Sequence, residues 1–498
     1  MAPLGKADAR DALAQGRPAF IWQRLVADET TPVGAAARLI EPGRGDFLLE
    51  SVEGNAHRGR YSLLGLDPDL VLRAQSRSAE INRGWAENRD AFVPIQQPPL
   101  EALRALLDEI RTDIPADLPP AIATLVGYFA YESYGWIEPV ERAPGEGLGT
   151  PDLFFVRPRC LLVFDNIGDE LFVIAPLYPD ESGPETVIAE AAARISATIA
   201  ALSRPSRSDD QAMLSTGSVR HIVAPEDYEA RVVRAKQLIS AGDIFQVVLA
   251  QRFTSDFALP PLSLYRALRR VNPSPFLFHL DLPGFALVGS SPEILVRLRH
   301  GEVAIRPIAG TRPRGKSEAE DRALEAELRA DPKECAEHLM LLDLARNDIG
   351  RVAQAGSVTV TESFGCERYS HVMHLVSHVT ARLDESRADP LDALFAGFPA
   401  GTVSGAPKIR ACQVIAELED EPRGPYAGAV GYFAPDGSFD SCITLRTAIV
   451  KDGTMHVTAG AGIVADSDPA AEQRECEAKA GALFAAAREA YRVVGDQA

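Results

Sequence analysis

Short apolar runs separated by polar breaks dominate the first part of the chain. DFLLESVE, GRYSLLGL, ATLVGYFAYES, CLLVFDN and ELFVIAPL are such runs, and the Gly, Pro and Asp between them are typical of β-strands joined by turns. Residues 184–202 lack these breaks and predict a helix. The polar stretch SRPSRSDDQAMLSTGS that follows has no period. We therefore expect an N-terminal region over 1–202, a linker or mobile loop over 203–219 and a second region over 220–498.

In the second region, strand-like and helix-like spacings of apolar residues follow one another. PEDYEARVVRAKQLISAGD has the spacing of an amphipathic helix that begins with Pro and acidic residues and ends at Gly. IFQVVLAQRFTSDF alternates like a strand, and further strand-like runs include SHVMHLVSHVTARL, SCITLRTAIV and MHVTAGAGIV. Helical spacing predicts helices over 318–328, 333–347, 408–419 and 469–492.

Composition narrows the class of protein. A chain of 498 residues with 46% hydrophobic content can bury a large core. It contains no apolar run of membrane-spanning length and no signal-peptide pattern at its start, so we expect a cytoplasmic protein without a membrane partner. The net charge of -19 argues against a nucleic-acid partner. Six dispersed cysteines without a CxxC pair indicate neither a disulfide framework nor a zinc ribbon.

Two acidic pairs on predicted helices are the first candidate site. Glu334 and Glu337 lie in DPKECAEHLM, and Glu472 and Glu475 lie in DPAAEQRECEAK. Residues three apart share one face of a helix, so each pair presents two carboxylates to the same side. Mg²⁺ typically takes one or two protein carboxylates and leaves its other positions to water and an anionic ligand. One glutamate from each helix would suffice, with the other two supporting the ligands.

A series of glycine-rich and charged segments in the second region points to a known family. SSPEILVR, RPIAGTRPRG, PAGTVSGAPK, TLRTAIV and AGAGIV each follow or end a predicted strand. Together with GDIFQVVLAQRF, ECAEHLMLLDLARND and SHVMHLVSHV, and in this order, they resemble the chorismate-utilising enzymes over about residues 225–490. The N-terminal FLLESVEGNAHRGRYSLLG is similar to the tryptophan-binding region of the anthranilate synthases in that family. The resemblance implies an α+β fold with large antiparallel β-sheets forming a sandwich flanked by helices.

The resemblance also assigns roles to individual residues. It places Mg²⁺ on Glu337 and Glu475, with Glu334 and Glu472 as their outer supports. Arg446 would grip a substrate carboxylate, because a guanidinium matches a carboxylate with two parallel hydrogen bonds. The remaining substrate-binding positions that the resemblance implies are Gly310, Thr311, Tyr426, Gly460, Ala461, Gly462 and Lys479.

Two catalytic residues follow from the same resemblance. Loss of the 4-hydroxyl of chorismate requires a proton donor, and Glu293 would be that acid if its surroundings keep it protonated. His374 would take part in the later proton abstraction that expels pyruvate. His371, His374 and His378 are an alternative metal triad. Strand alternation puts His371 on the opposite face from the other two, which disfavours zinc.

Two positions indicate which family member the chain resembles. Isochorismate and salicylate synthases carry a water-activating lysine where this chain has Gln246, and aminodeoxychorismate synthases typically place a nucleophilic lysine where it has Ala309. A methyl group cannot form a covalent adduct, so ammonia is the expected nucleophile and anthranilate the expected product. Aminodeoxychorismate synthase component I and a catalytically inactive regulatory homologue remain as alternatives.

Two partners complete the hypothesis. No cysteine lies in a GxCxGxQ-type motif, so a separate glutamine amidotransferase subunit, anthranilate synthase component II, is expected to supply ammonia. Tryptophan is expected to inhibit the enzyme from a separate pocket. The residues that the resemblance assigns to that pocket are Ser51, Pro275, Phe276, Leu277 and Cys442.

Overall fold

The computed structural model describes residues 3–53, 57–205, 217–368 and 372–495. The α-helices are α1 Lys6–Ala14, α2 Pro32–Leu39, α3 Pro99–Glu109, α4 Pro184–Leu202, α5 Pro225–Ser240, α6 Pro261–Val271, α7 Glu318–Ala330, α8 Pro332–Gly350, α9 Pro390–Gly397, α10 Lys408–Leu418 and α11 Pro469–Gly495. Short 3₁₀ helices cover Tyr131–Trp136 and Gly401–Val403.

Strands make up most of the remaining structure. Those before residue 203 are β1 Ala19–Val26, β2 Asp46–Glu50, β3 Val52–Glu53, β4 His57–Arg58, β5 Tyr61–Gln75, β6 Ser78–Asn82, β7 Val93–Ile95, β8 Leu125–Phe129, β9 Leu153–Asp165 and β10 Glu170–Leu177. Those after it are β11 Arg220–His221, β12 Gln246–Asp256, β13 Phe276–Leu282, β14 Phe285–Ser291, β15 Ile294–Arg299, β16 Glu302–Ile305, β17 Ile308–Pro313, β18 Thr359–Arg368, β19 Val372–Arg382, β20 Gly405–Ala406, β21 Ala429–Phe433, β22 Phe439–Ile443, β23 Thr447–Lys451 and β24 Thr454–Ile463.

A long antiparallel ribbon of β5 and β9 links two branches of sheet. One branch runs from β5 through β2, β13, β14, β23 and β24 to β12. The other runs from β9 through β8, β21, β22, β15 and β16 to β19, which also pairs with β17 and β18. The apolar faces of these strands and the helices packed on them form the core. The predicted α+β fold with large antiparallel sheets is confirmed.

The N-terminal and C-terminal regions share this sheet. β2 pairs with β13, and β8 pairs with β21, so backbone hydrogen bonds join the two parts of the chain directly. The stretch expected to be a linker lies between α4 and β11, and its residues 206–216 are outside the described ones. The division of the chain at 203–219 therefore stays a prediction.

Most predicted elements exist, with one instructive error. The helix predicted over 184–202 is α4, and both helices that carry the acidic pairs are present as α8 and α11. SCITLRTAIV, predicted as one strand, is instead two strands, β22 and β23. The chain bends between them because Arg446 adopts a φ of 47°, in the left-handed region. Among the described residues, no helix is both long enough and apolar enough to cross a membrane.

Candidate active site

The first acidic pair lies at the N-terminal end of α8. Pro332 occupies the first turn, and the side chain of Asp331 accepts hydrogen bonds from the backbone amides of Lys333 and Glu334. A proline and an aspartate at these positions fix where a helix begins. Glu334 and Glu337 therefore lie on its first two turns, one above the other.

The second pair lies at the N-terminal end of α11 in the same arrangement. This helix begins at Pro469, and Oδ1 of Asp468 accepts a hydrogen bond from the amide of Ala471 at 2.8 Å. Glu472 and Glu475 follow on the first two turns. The local sequence thus places both pairs at helix starts.

The carboxylates of the two helices interact with one another. Burial raises the pKa of Glu337, and the negative charges of Glu334 and Glu475 raise it further. Burial also raises the pKa of Glu472; a hydrogen bond with Ser467 opposes that rise and the charge of Glu475 adds to it. The structure therefore brings all four predicted carboxylates into one acidic cluster.

Lys479 contacts this cluster from α11. Its Nζ lies 2.8 Å from Oε1 of Glu475 and 2.9 Å from the carbonyl oxygen of Gly460. Lys479 and Glu475 are both about half exposed. The lysine predicted to bind substrate thus holds one of the predicted metal ligands and the end of β24 together.

The donor set of the cluster fits Mg²⁺. Four carboxylates supply the hard oxygen atoms that this ion prefers, and substrate and water can complete its shell. Within the described part of the chain, no three His, Cys, Asp or Glu side chains already stand at the spacing of metal ligands. The cluster therefore supplies suitable ligands that a cation would draw closer.

His374 is held by a bulge in the neighbouring strand. The pairing of β17 with β19 shifts between Ala309 and Thr311, and Gly310 at the shift has a φ of 68°. This turns the carbonyl of Gly310 to within 3.0 Å of Nδ1 of His374, with Oγ1 of Thr311 at 3.1 Å. A carbonyl only accepts hydrogen bonds, so Nδ1 carries the proton and Nε2 is the basic nitrogen. Burial lowers the pKa of His374, which keeps the ring neutral.

Glu293 is buried in the segment between β14 and β15. Oγ1 of Thr402 lies 3.1 and 3.2 Å from its two carboxyl oxygens. Burial raises the pKa of Glu293 to about 8, although the Thr402 hydrogen bond and the positive charge of Arg446 oppose the rise. A carboxyl with this pKa is largely protonated at pH 7 and can donate a proton.

Arg446 lies at the bend between β22 and β23. Its carbonyl accepts a hydrogen bond from the amide of Ser290 at 3.1 Å, which fastens the bend to the end of β14. Its charge lowers the pKa of both Glu293 and His374. Arg446 therefore lies close enough to the predicted acid and to the predicted base for its charge to act on both.

The end of β24 forms another wall of the site. A methyl group on Gly460 would come within 2.8 Å of the hydroxyl of Tyr426, and one on Gly462 would come within 2.8 Å of Nε2 of Gln246. The carbonyl of Gly460 contacts Lys479 instead of β12. In an antiparallel strand the amide and the carbonyl of one residue point to the same side, so the amide of Gly460 also faces away from β12. Backbone groups alternate sides along a strand, so the amide of Gly462 faces away from β12 as well and that of Ala461 faces β12.

The two positions that discriminate between activities also lie here. Gln246 is 7% exposed, and its Oε1 has no hydrogen-bond partner among the described residues. Ala309 is buried in β17 next to the bulge at Gly310. A neutral amide and a methyl group thus occupy the two positions at which the resemblance predicts a lysine in the other synthases.

The residues predicted to bind tryptophan surround one cavity of about 890 Å³. Ser51 borders it at the end of β2, and Pro275, Phe276 and Leu277 border it at the start of β13. Cys442 of β22 completes the set. Of the described residues that line this cavity, none is a predicted Mg²⁺ ligand, so the acidic cluster is not part of its wall.

Not every functional residue was found from the sequence, and the histidine triad gains no support. Thr402 lies in the quoted motif PAGTVSGAPK, but nothing in that motif indicates that its hydroxyl reaches Glu293. His371 lies outside the described residues. Nδ1 of His378 contacts Oγ1 of Thr361 at 2.9 Å, whereas His374 faces Gly310, so these two rings have separate environments.

Comparison with known proteins agrees with this geometry. The family model described as chorismate binding enzyme matches residues 47–485. The chain therefore belongs to the family of chorismate binding enzymes.

Within that family, the chain is similar to anthranilate synthase component 1 from Cereibacter sphaeroides, with 50% identity over 481 residues that cover 95% of each chain. It also resembles the crystal structure of anthranilate synthase component I from Streptococcus pneumoniae. There the TM-score is 0.76 at 34% identity, with 93% of this chain and 99% of that chain covered. The menaquinone-specific isochorismate synthase from Escherichia coli shares the fold, with a TM-score of 0.71 at 21% identity over 96% of this chain and 99% of that chain.

Proposed function

We propose that this chain is the chorismate-converting component of an anthranilate synthase. It converts chorismate and ammonia to anthranilate, pyruvate and water, with Mg²⁺ as cofactor. The observation that carries the proposal is the position of Arg446, whose charge acts on both Glu293 and His374. A carboxylate-binding cation, a protonated acid and a neutral base around one site are what this reaction requires. The relatives named anthranilate synthase component 1 support the same activity.

The first half of the reaction replaces the 4-hydroxyl with an amine at C2. Glu293 donates its proton to the departing hydroxyl, which leaves as water. The guanidinium of Arg446 pairs with a substrate carboxylate and holds the ring in place. Tyr426, the amides of Gly460 and Gly462, and Thr311 complete the enclosure.

Ammonia is the nucleophile that the site favours. Gln246 offers a buried carbonyl oxygen that can accept a hydrogen bond from ammonia, and it cannot deprotonate water as a lysine would. Ala309 cannot form a covalent adduct with the ring. Both observations favour anthranilate over isochorismate or aminodeoxychorismate as the product.

The second half of the reaction makes the ring aromatic. Nε2 of His374 removes the proton from C2, and the electron pair forms the ring double bond as the bond between C3 and the ether oxygen breaks. The enolpyruvyl group leaves and becomes pyruvate when its methylene carbon is protonated. The hydrogen bond from Nδ1 to the carbonyl of Gly310 keeps Nε2 free for this step.

Glu337 and Glu475 would hold Mg²⁺, with Glu334 and Glu472 supporting them. When bound, the ion would orient the ring carboxylate and withdraw charge from it as a Lewis acid. The cluster needs a cation in any case when a substrate carboxylate approaches four glutamates.

The proposal includes a partner subunit and an inhibitor. Ammonia would come from a glutaminase subunit, anthranilate synthase component II, because this chain has no amidotransferase cysteine motif. Tryptophan would occupy the cavity lined by Ser51, Pro275 and Cys442, which is large enough for an amino acid and is also lined by Pro292 and Ile294, the neighbours of Glu293 in the chain.

One assay tests the activity. The purified chain is incubated with chorismate, Mg²⁺ and ammonium, and fluorescent anthranilate is expected. Glutamine in place of ammonium should give no product until a glutaminase subunit is added. Formation of aminodeoxychorismate would favour the alternative synthase, and chorismate binding without turnover would favour an inactive homologue.

A further inference from the structure

The wall of the cavity contains an ion pair with no role in the reaction described above. Arg306 lies in the short connection between β16 and β17, and Glu367 lies in β18; both line the cavity. An Nη atom of Arg306 contacts Oε1 of Glu367. The two side chains are 31% and 34% exposed, so a molecule in the cavity can reach them.

Glu367 also faces the catalytic histidine. It lies directly opposite His374 in the antiparallel pairing of β18 with β19. Side chains of directly opposed residues lie on the same face of a sheet, with Cβ atoms roughly 4.5–5.5 Å apart. Two charged side chains act on His374: Glu367 from β18 raises its pKa, and Arg446 from the bend after β22 lowers it. Its contacts from β17 include two neutral groups, the carbonyl of Gly310 and the hydroxyl of Thr311.

We propose that Glu367 is a positioning residue that acts through His374, and that Arg306 sets how strongly the histidine experiences its charge. The proposal rests on the proposed function for the role of His374 as a base. Glu367 balances Arg446, so that His374 stays basic enough to remove a proton although it lies beside a guanidinium. Arg306 partly neutralises Glu367 from the cavity side.

The arrangement predicts opposite effects from the two halves of the ion pair. The negative charge of Glu367 raises the pKa of His374, so its removal should lower that pKa. Removal of Arg306 takes away a positive charge that partly neutralises Glu367, and should therefore raise the pKa of His374. A substitution that only exposed His374 to solvent would reduce the effect of burial and raise its pKa. A lowered pKa in Glu367→Gln therefore cannot come from such a structural change.

The test is an NMR titration of His374 in the full-length chain without chorismate. Histidine labelled with ¹³C at Cε1 is followed against pH, and the His374 signal is assigned by its loss in His374→Asn. We expect Glu367→Gln to lower the pKa of His374 by at least about half a unit and Arg306→Gln to raise it by a similar amount. If the chain makes anthranilate, the acid limb of its kcat profile should move in the same two directions, because the base must be neutral to act.

Arg299→Gln is the matched control. Arg299 also lines the cavity and pairs with a carboxylate, Asp440 at 2.8 Å, but Asp440 lies on β22 and does not face His374. This variant should leave the pKa of His374 unchanged. An unchanged pKa in Glu367→Gln, or shifts of the same direction in both test variants, would overturn the inference. If the chain makes no anthranilate but Glu367→Gln lowers and Arg306→Gln raises the pKa of His374, the proposed function fails while the influence of the ion pair on His374 stands.

Discussion

At the scale of single residues, the proposed chemistry uses carboxyl groups in two ways. Glu293 must stay protonated to act as an acid, whereas the four clustered glutamates of α8 and α11 would act as metal ligands or their supports. Glu293 is 8% exposed, whereas the glutamates of α8 and α11 lie at helix starts that solvent reaches. A buried carboxyl has its charged form penalised, which makes it an acid. The four clustered glutamates of α8 and α11 are only partly buried, so a cation can reach them as ligands. The same side chain thus serves two purposes according to its burial.

Glu293 gives a prediction about pH. Its acid form is the active one, so turnover should fall as pH rises through about 8, the pKa that burial gives it. Thr402→Val removes a hydrogen bond that lowers this pKa, so the alkaline limb should move to higher pH. The measurement is kcat against pH for both proteins with saturating ammonium, in which the free ammonia concentration is held constant. An unmoved alkaline limb would remove Glu293 as the acid.

The same pKa shift affects stability. Because the folded pKa of about 8 exceeds the ordinary value of 4.5, the folded state binds more protons than the unfolded chain between these values. The contribution of Glu293 is therefore unfavourable to folding above this window and absent below it. Glu293→Gln should accordingly lose activity at every pH and unfold less readily than the wild type at pH 9, as measured by urea titration.

The predicted Mg²⁺ ligands can be tested at the same scale. Glu337→Gln and Glu475→Gln each remove a charged ligand and should lower turnover by about 10²-fold or more with the fold intact. Calorimetry should show loss of Mg²⁺ binding in the presence of chorismate. Glu477→Gln is the control, because Glu477 lies on the same helix and contacts Gln473 instead of the cluster. Near-normal turnover of both test variants at limiting Mg²⁺ contradicts the assignment.

At the scale of elements, a bulge and a bend do what regular strands cannot. The bulge at Gly310 points a backbone carbonyl at His374, and the bend at Arg446 points a guanidinium toward the same histidine. Bulges commonly redirect groups next to active sites. β17 and β22 would otherwise pass the site without presenting these groups.

Gly310→Ala tests the bulge. A φ of 68° is strained for alanine, and the new methyl group would lie 3.1 Å from both Oε2 of Glu334 and Cδ1 of Leu328. We expect kcat to fall by about 10-fold or more because His374 loses its fixed orientation, with a stability loss of about 1 kcal/mol. Gly356→Ala is the control, since its φ of 78° carries the same strain and nothing lies within 4 Å of the added methyl group. Equal losses of activity in both variants would show that the bulge has no special role.

The elements that could be predicted from the sequence are those with a strong local signal. α8 and α11 have Pro and Asp at their starts and acidic residues three apart, so the predicted helices and the shared face of each pair follow from local rules. The bend at Arg446 could not be predicted from local rules, because SCITLRTAIV has an unbroken strand pattern. It is fixed instead by a hydrogen bond from Ser290, far away in the chain. The contact of Thr402 with Glu293 spans 109 positions and was missed for the same reason.

At the scale of the whole molecule, the shared sheet joins the proposed inhibitor pocket to the catalytic residues. Ser51 follows β2, which pairs with β13, and residues at the adjoining ends of both strands line the cavity. Glu50 is buried beside Ser51, where it accepts hydrogen bonds from the hydroxyl of Tyr265 at 2.6 Å and from Arg269 at 3.1 Å. An occupant that moved this wall would therefore move β13 and the sheet behind it.

The last prediction concerns this coupling. If tryptophan binds in the cavity and weakens chorismate binding, saturating chorismate must weaken tryptophan binding by the same factor, because linkage between two sites is reciprocal. Calorimetric titration of tryptophan with and without chorismate, in the absence of ammonia, measures that factor. Ser51→Phe should fill the cavity next to β2 and abolish both effects while turnover without inhibitor stays nearly normal. Ser51→Ala is the control, since it removes the hydroxyl but leaves the space open, and inhibition should persist at reduced affinity. Tryptophan inhibition of undiminished strength in Ser51→Phe would place the inhibitor elsewhere on the molecule, and the catalytic assignment would stand without it.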